Sequence, residues 1–102
     1  MSDLPIVCTL QPAELVTRAK QLLPGLVAAA TSRSRIDGGY RFEFTATSES
    51  LGAISAAIDA ERQCCRFLRF ELVVEPDGGP MSLQVSGPPG AAEFLADLLP
   101  LA

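Results

Sequence analysis

The sequence contains no histidine and no tryptophan. Without histidine the chain lacks the usual neutral-pH general base and the commonest metal ligand, so acid–base chemistry falls to carboxylates, thiols or Tyr40. Basic runs are missing as well: 8 Lys and Arg against 12 Asp and Glu leave a net charge of −4. That balance argues against a nucleic-acid partner, because phosphate neutralisation needs clustered cations. No apolar run reaches membrane-spanning length, which argues against a membrane partner. The opening residues MSDLPIV have neither the basic start nor the long apolar stretch of a secretion signal. Three cysteines, an odd number, without such a signal suit a reducing cytoplasm and thiols rather than a disulfide framework.

What is present is an apolar, patterned chain. At 102 residues, 48% of them hydrophobic, it suits a single globular domain over 1–102. Leu4, Ile6, Cys8 and Leu10 alternate with Pro5, Val7 and Thr9, so residues 4–10 are expected as a short strand with Cys8 on the same face as Ile6 and Leu10. Pro12 suits a first helical turn, and Leu15, Val16, Ala19, Leu22 and Leu23 form a buried stripe over 12–23 that Pro24-Gly25 should stop. Residues 28–36 and 40–46 are expected as a hairpin around Asp37-Gly38-Gly39, with Tyr40, Phe42 and Phe44 alternating along the second strand. Thr47, Ser48 and Ser50 offer caps for a helix over 49–67. Residues 69–75 and 81–86 form a second hairpin, and Ala91, Phe94, Leu95 and Leu98 a last short amphipathic helix. The expected fold is α+β: one antiparallel sheet of about five strands, in the order β-α-β-β-α-β-β-α, with helices mainly on one face.

The stretch ERQCCRFLRFELVVEP, residues 61–76, joins the best helix to the best strand. Leu51, Ile54, Ile58, Cys65 and Leu68 fall on one helical stripe, with Cys64, Ala57 and Ala60 on its flank. The period then changes to two, with Phe70, Leu72 and Val74 facing one way, so the helix should end near Phe67 or Leu68. Glu61 lies at the stripe's edge, one turn before the cysteines. It should find an Arg or a backbone donor there, because an unpaired buried charge is costly.

Buried cysteine often packs as a small hydrophobe. Against that plain reading, all three thiols lie at or near core-facing positions, two are consecutive, and a carboxylate stands beside them. Thiolates select soft metal ions, although a closed zinc site would need a fourth Cys or His ligand. Cys64 and Cys65, about 3.8 Å apart at Cα and diverging by about 100°, are poorly placed for a mutual disulfide. Cys8 with Cys65 is the easier pair. The helix C-terminus and Glu61 disfavour a thiolate, whereas Arg62, Arg66 and Arg69 favour one. No nucleophile–base–orienter set is evident, and the Gly-rich turns match no phosphate-binding pattern.

The pattern E-x-x-C-C-x-F-x-x-F of Glu61, Cys64, Cys65, Phe67 and Phe70 resembles a small, uncharacterised type of bacterial domain, as do Cys8-Thr9-Leu10 and the run GGYRFEF over 38–44. That domain occurs alone, fused behind MerR-type mercury- or heavy-metal-responsive regulators, or encoded near metal-resistance functions. The likeness spans nearly the whole chain, with Arg66 where the family usually has proline. Its context implies soft-metal handling. The expected function is a cytoplasmic thiolate binder of a soft metal or metalloid ion, of the mercuric or arsenite class, serving metal resistance. Cys8, Cys64 and Cys65 are its candidate ligands, with Glu61 as orienter or proton acceptor. The alternative is a protein-interaction or dimerisation module with structural core cysteines, for which a second copy is a candidate partner. A thiol-dependent enzyme is the weakest reading, for want of a base.

Overall fold

A computed structural model describes residues 24–98. Within it lie β1 (Ser32–Ile36), β2 (Gly39–Phe44), α1 (Ser48–Cys64), β3 (Arg69–Val74), β4 (Met81–Ser86) and α2 (Ala91–Leu98), preceded by a helical run over 24–28. The strands make one antiparallel sheet in the order β1-β2-β4-β3. The α+β class and the single antiparallel sheet are as expected. Among the described residues the sheet has four strands; the fifth expected strand, over 4–10, and the helix over 12–23 lie outside them.

Alternation sets the two faces. Phe42 stands opposite Leu83, Phe44 opposite Met81, and Tyr40 opposite Val85, while Phe70 and Leu72 flank Val85 and Leu83 from the other side. Directly opposed residues share a face, so these side chains form one apolar surface. Phe42, Phe44, Met81, Leu83 and Val85 are buried there, and Phe70 and Leu72 half-buried. Ile54, Ala57 and Ala60 of α1, and Ala91 and Leu95 of α2, belong to the same core. The opposite face is polar, with Arg41 and Glu43 paired at 3.1 Å and Arg69 and Glu71 at 3.9 Å. Both pairs are well exposed, and such pairs contribute little.

The turns follow their residue chemistry. Gly38, with φ 78°, closes the β1–β2 hairpin. Between β3 and β4, Asp77 and Gly78 both have positive φ, at 58° and 70°, and the Gly79 N–H donates to the Pro76 carbonyl at 3.1 Å. Aspartate is among the few side chains that tolerate this left-handed conformation. On β1 the Arg35 guanidinium lies 5.6 Å from the Tyr40 ring centre, and Tyr40 stacks on Phe42 at 6.4 Å.

The expected strand over 28–36 begins only at Ser32, and Pro24-Gly25 does not stop the helical path, which runs through residues 24–28. Leu26 and Val27 are both buried. A strand would send these neighbours to opposite faces, whereas a helical turn lets both reach the core. The run closes with Ala29 and Ala30 N–H donating to the carbonyls of Leu26 and Val27 at 3.0 and 3.1 Å. No helix among the described residues is long and apolar enough to cross a membrane.

Two glycines test the packing. A Cβ on Gly39 would collide with the Val85 carbonyl oxygen and stand 2.7 Å from the Ser86 Cα, whereas one on Gly52 meets open space. Gly39→Ala should cost about 1–3 kcal/mol by forcing β2 from β4. Gly52→Ala should stabilise α1 by about 0.5–1 kcal/mol. Urea unfolding measures both, and a neutral Gly39→Ala would contradict the β2–β4 register.

Candidate functional site at the end of the central helix

The start of α1 is set by Thr47, which is extended and whose side-chain oxygen accepts the Ser50 N–H at 3.0 Å, a standard helix cap. Glu49 in the first turn and Arg62 in the last suit the helix dipole. From that start the buried stripe runs through Ile54, Ala57, Ala60 and Glu61. It is rotated from the expected one: Leu51 is 40% exposed, while Ala57 and Ala60, expected on the flank, are buried. Ala57 and Ala60 join Ile54 in the core cluster that includes the inner face of the sheet. Glu61 lies two turns beyond Ile54, hence on the same stripe, and the rotation carries it from the expected edge to 1% exposure.

The helix stops earlier than expected. Cys64 is its last residue, and Cys65 leaves helical geometry at φ −113° and ψ 79° while its N–H still donates to the Glu61 carbonyl at 2.6 Å. A turn follows, closed by the Leu68 N–H on the Cys65 carbonyl at 3.2 Å. Phe67 and Leu68 are both buried. The turn sets both into the core. Phe67 meets Phe94 of α2 edge-on at 5.1 Å, so the turn after α1 is packed directly on α2. The adjacent pair of large apolar residues was the sequence signal for this break, and a strict helical period hides it.

Glu61 and Cys65 form the centre of the site. The Cys65 thiol, 2% exposed, hydrogen-bonds the Glu61 carboxyl. Glu61 Oε1 is buried and meets no hydrogen-bond partner among the described residues. Among the described residues neither the expected arginine nor the alternative backbone donor reaches that oxygen. Arg62 turns outward to Asp59 at 2.7 Å, Arg69 lies by Glu71, and Arg66 is exposed. Burial pushes the Glu61 carboxyl above its ordinary value of 4.5, and the thiol's hydrogen bond partly offsets the rise. The carboxyl thus keeps its proton to a higher pH than an ordinary glutamate, with an acceptor atom buried beside the thiol.

Of the expected ligands, Glu61 and Cys65 are thus brought together. Cys8 and the Cys64 side chain lie outside the described part of the structure. Among the described residues there is no group of three or more His, Cys, Asp or Glu placed to hold a metal ion. Neither of two broad surface hollows touches Glu61 or Cys65. One, of about 440 Å³, lies by Arg35, Pro88 and Glu93, and the other, of about 520 Å³, by Leu26, Phe44 and Glu49. Comparison of the chain with protein-family models, curated proteins and solved structures gives no match.

The pH dependence of stability follows in sign from Glu61. Its folded pKa lies above the unfolded value of 4.5, so over a window opening near that value the folded protein keeps a proton that the unfolded chain has lost. Stability contributed by the protonated group is full below the window and falls as pH rises through it. Glu61→Gln keeps the shape without ionising. It should flatten the fall and raise stability at neutral pH by on the order of 1 kcal/mol. Urea unfolding from about pH 4.5 to 8 measures this. A stability that rises across the window, equally in both proteins, would contradict the assignment.

Proposed function

We propose that the protein is a cytosolic thiolate binder of a soft metal or metalloid ion, of the mercuric or arsenite class, acting as an accessory of metal resistance. Cys8, Cys64 and Cys65 are the ligands in this reading, and Glu61 is the orienter and proton acceptor. The observation that carries it is the buried Glu61 carboxyl, with the Cys65 thiol hydrogen-bonded to it and Oε1 meeting no donor among the described residues. A native core seldom leaves a buried acceptor unsatisfied without a use for it.

The chemistry suits thiol capture. A thiol must lose its proton to bond a soft ion. When the Cys65 sulfur takes the ion, the ionised form of Glu61 accepts the thiol's proton, and its raised pKa makes that carboxylate a stronger base than an ordinary one. Cys64, next in the chain, supplies a second sulfur once the helix end opens, and Cys8 a third. The resemblance of the E-x-x-C-C segment to domains associated with mercury-responsive regulators supports the same ion class.

One observation favours a second reading. Cys65 sits in the core with Phe67 and Leu68, the company expected of a structural cysteine in an interaction or dimerisation module.

Titration of the reduced protein with mercuric ion or arsenite, in competition with a small dithiol, separates the two. The ion-binding reading predicts sub-micromolar, thiol-dependent affinity (on the order of 8 kcal/mol or more). Cys8→Ser, Cys64→Ser and Cys65→Ser should each weaken binding by about tenfold or more. Glu61→Gln should weaken it by about 10–100-fold, as loss of a group behind a ligand does. Three thiols that neither bind the ion nor react with a thiol reagent in the folded state would leave the second reading.

A further inference from the structure

The two edges of the sheet are unlike. β1 sets Arg33 and Arg35 on its inner face, opposite Phe42 and Tyr40, and charges of this kind guard an edge against pairing with another chain. β3 has no such guard on its inner face, where Phe70, Leu72 and Val74 follow one another. Val73 is 39% and Val74 58% exposed, and with Leu51 they are the large hydrophobics left exposed among the described residues. No described strand pairs with the outer side of β3, so a row of backbone donors and acceptors accompanies the bare valines.

We propose that a second copy of the chain covers this edge, β3 pairing antiparallel with the copy's β3 about a two-fold axis through Leu72. Side-chain complementarity selects that register. Opposed residues in an antiparallel pair share a face, so a symmetric pairing that keeps both sheets the same way up is centred on a residue. Centring on Arg69 or Glu71 sets like charges against each other, and centring on Val73 sets Glu71 against Glu75. Centring on Phe70 leaves Val74 outside the paired stretch, and centring on Val74 leaves most of the strand unpaired. Centring on Leu72 sets Arg69 opposite the copy's Glu75, Phe70 opposite Val74, and Glu71 opposite Val73. The two-fold repeats each pair. The most exposed valine is then covered by an aromatic ring, and each end of the interface carries an opposite-charge pair. Arg69 and Glu75 are exposed in the single chain and both available for it. The same operation on β1 has no comparable apolar gain, because its inner face consists of Arg33 and Arg35.

Sedimentation velocity of the reduced full chain over a concentration series tests the proposal. The expected result is a reversible monomer–dimer equilibrium, as suits an interface built on one short strand. Arg69→Glu and Glu75→Arg should each weaken the dimer by about tenfold or more, and the double variant should return to within about threefold of the original. Loss of the Arg69–Glu71 contact within one chain would not be restored by changing Glu75. Val74→Lys, at an exposed position that leaves the fold intact, should abolish the dimer. A monomer at every concentration would overturn the proposal, whether β3 amides exchange quickly or are shielded by the chain's own residues 1–23. A dimer indifferent to the charge reversals would overturn it too.

Discussion

A carboxyl group held in the core with a thiol as its partner is the constraint around which the end of the central helix is built. Glu61 is buried because it lies two turns from Ile54 on the face that α1 turns to the sheet. An ionised carboxylate in such a place is strongly disfavoured unless paired, and the usual outcome is a raised pKa rather than a bare charge. The Cys65 thiol is positioned for Glu61 by the helix itself: one turn on, its N–H makes the closing hydrogen bond to the Glu61 carbonyl while its side chain turns to the carboxyl. Helix termination and the pairing of the two side chains are thus a single local event. Replacing both residues with apolar ones of similar size would remove a polar cost, and a core under selection for stability alone has no need of the pair.

The chain path after α1 links this site to the sheet's exposed edge. Because β4 rather than β3 lies beside β2, the chain leaving Cys65 must reach the far side of the sheet before it can form a strand. The turn through Phe67 and Leu68, packed on Phe94 of α2, makes that connection. Its start holds the buried carboxyl and thiol, and its end delivers β3 to the edge with Val73 and Val74 exposed.

The strands were legible because alternation is a local signal. Phe42 and Phe44, Met81 and Leu83, and the half-buried Phe70 and Leu72 all face the core as the period of two requires. Hairpin turns were legible for the same reason, since Asp and Gly at positive φ are punctuation written in single residues. The phase of α1 was not. A stripe drawn through the largest residues starts at Leu51, whereas the face buried in the core bears Ala57 and Ala60. That choice belongs to tertiary packing, and it decided the burial of Glu61. The helix end was hidden likewise: Phe67 and Leu68 continue a helical pattern on paper, whereas the helix ends at Cys64. At 24–28, Pro and Gly were overridden by the burial of Leu26 and Val27.

Carbon-13 NMR titration of the Glu61 side-chain carboxyl in the reduced protein tests the account most directly. Desolvation and the thiol act on this group in opposite directions, so two measurements fix both. The midpoint should lie above 4.5 in the original protein, and it should move higher still in Cys65→Ala, where the thiol donor is gone and the burial remains. A midpoint at or below 4.5, or one that Cys65→Ala leaves in place, would contradict the buried carboxyl–thiol pair.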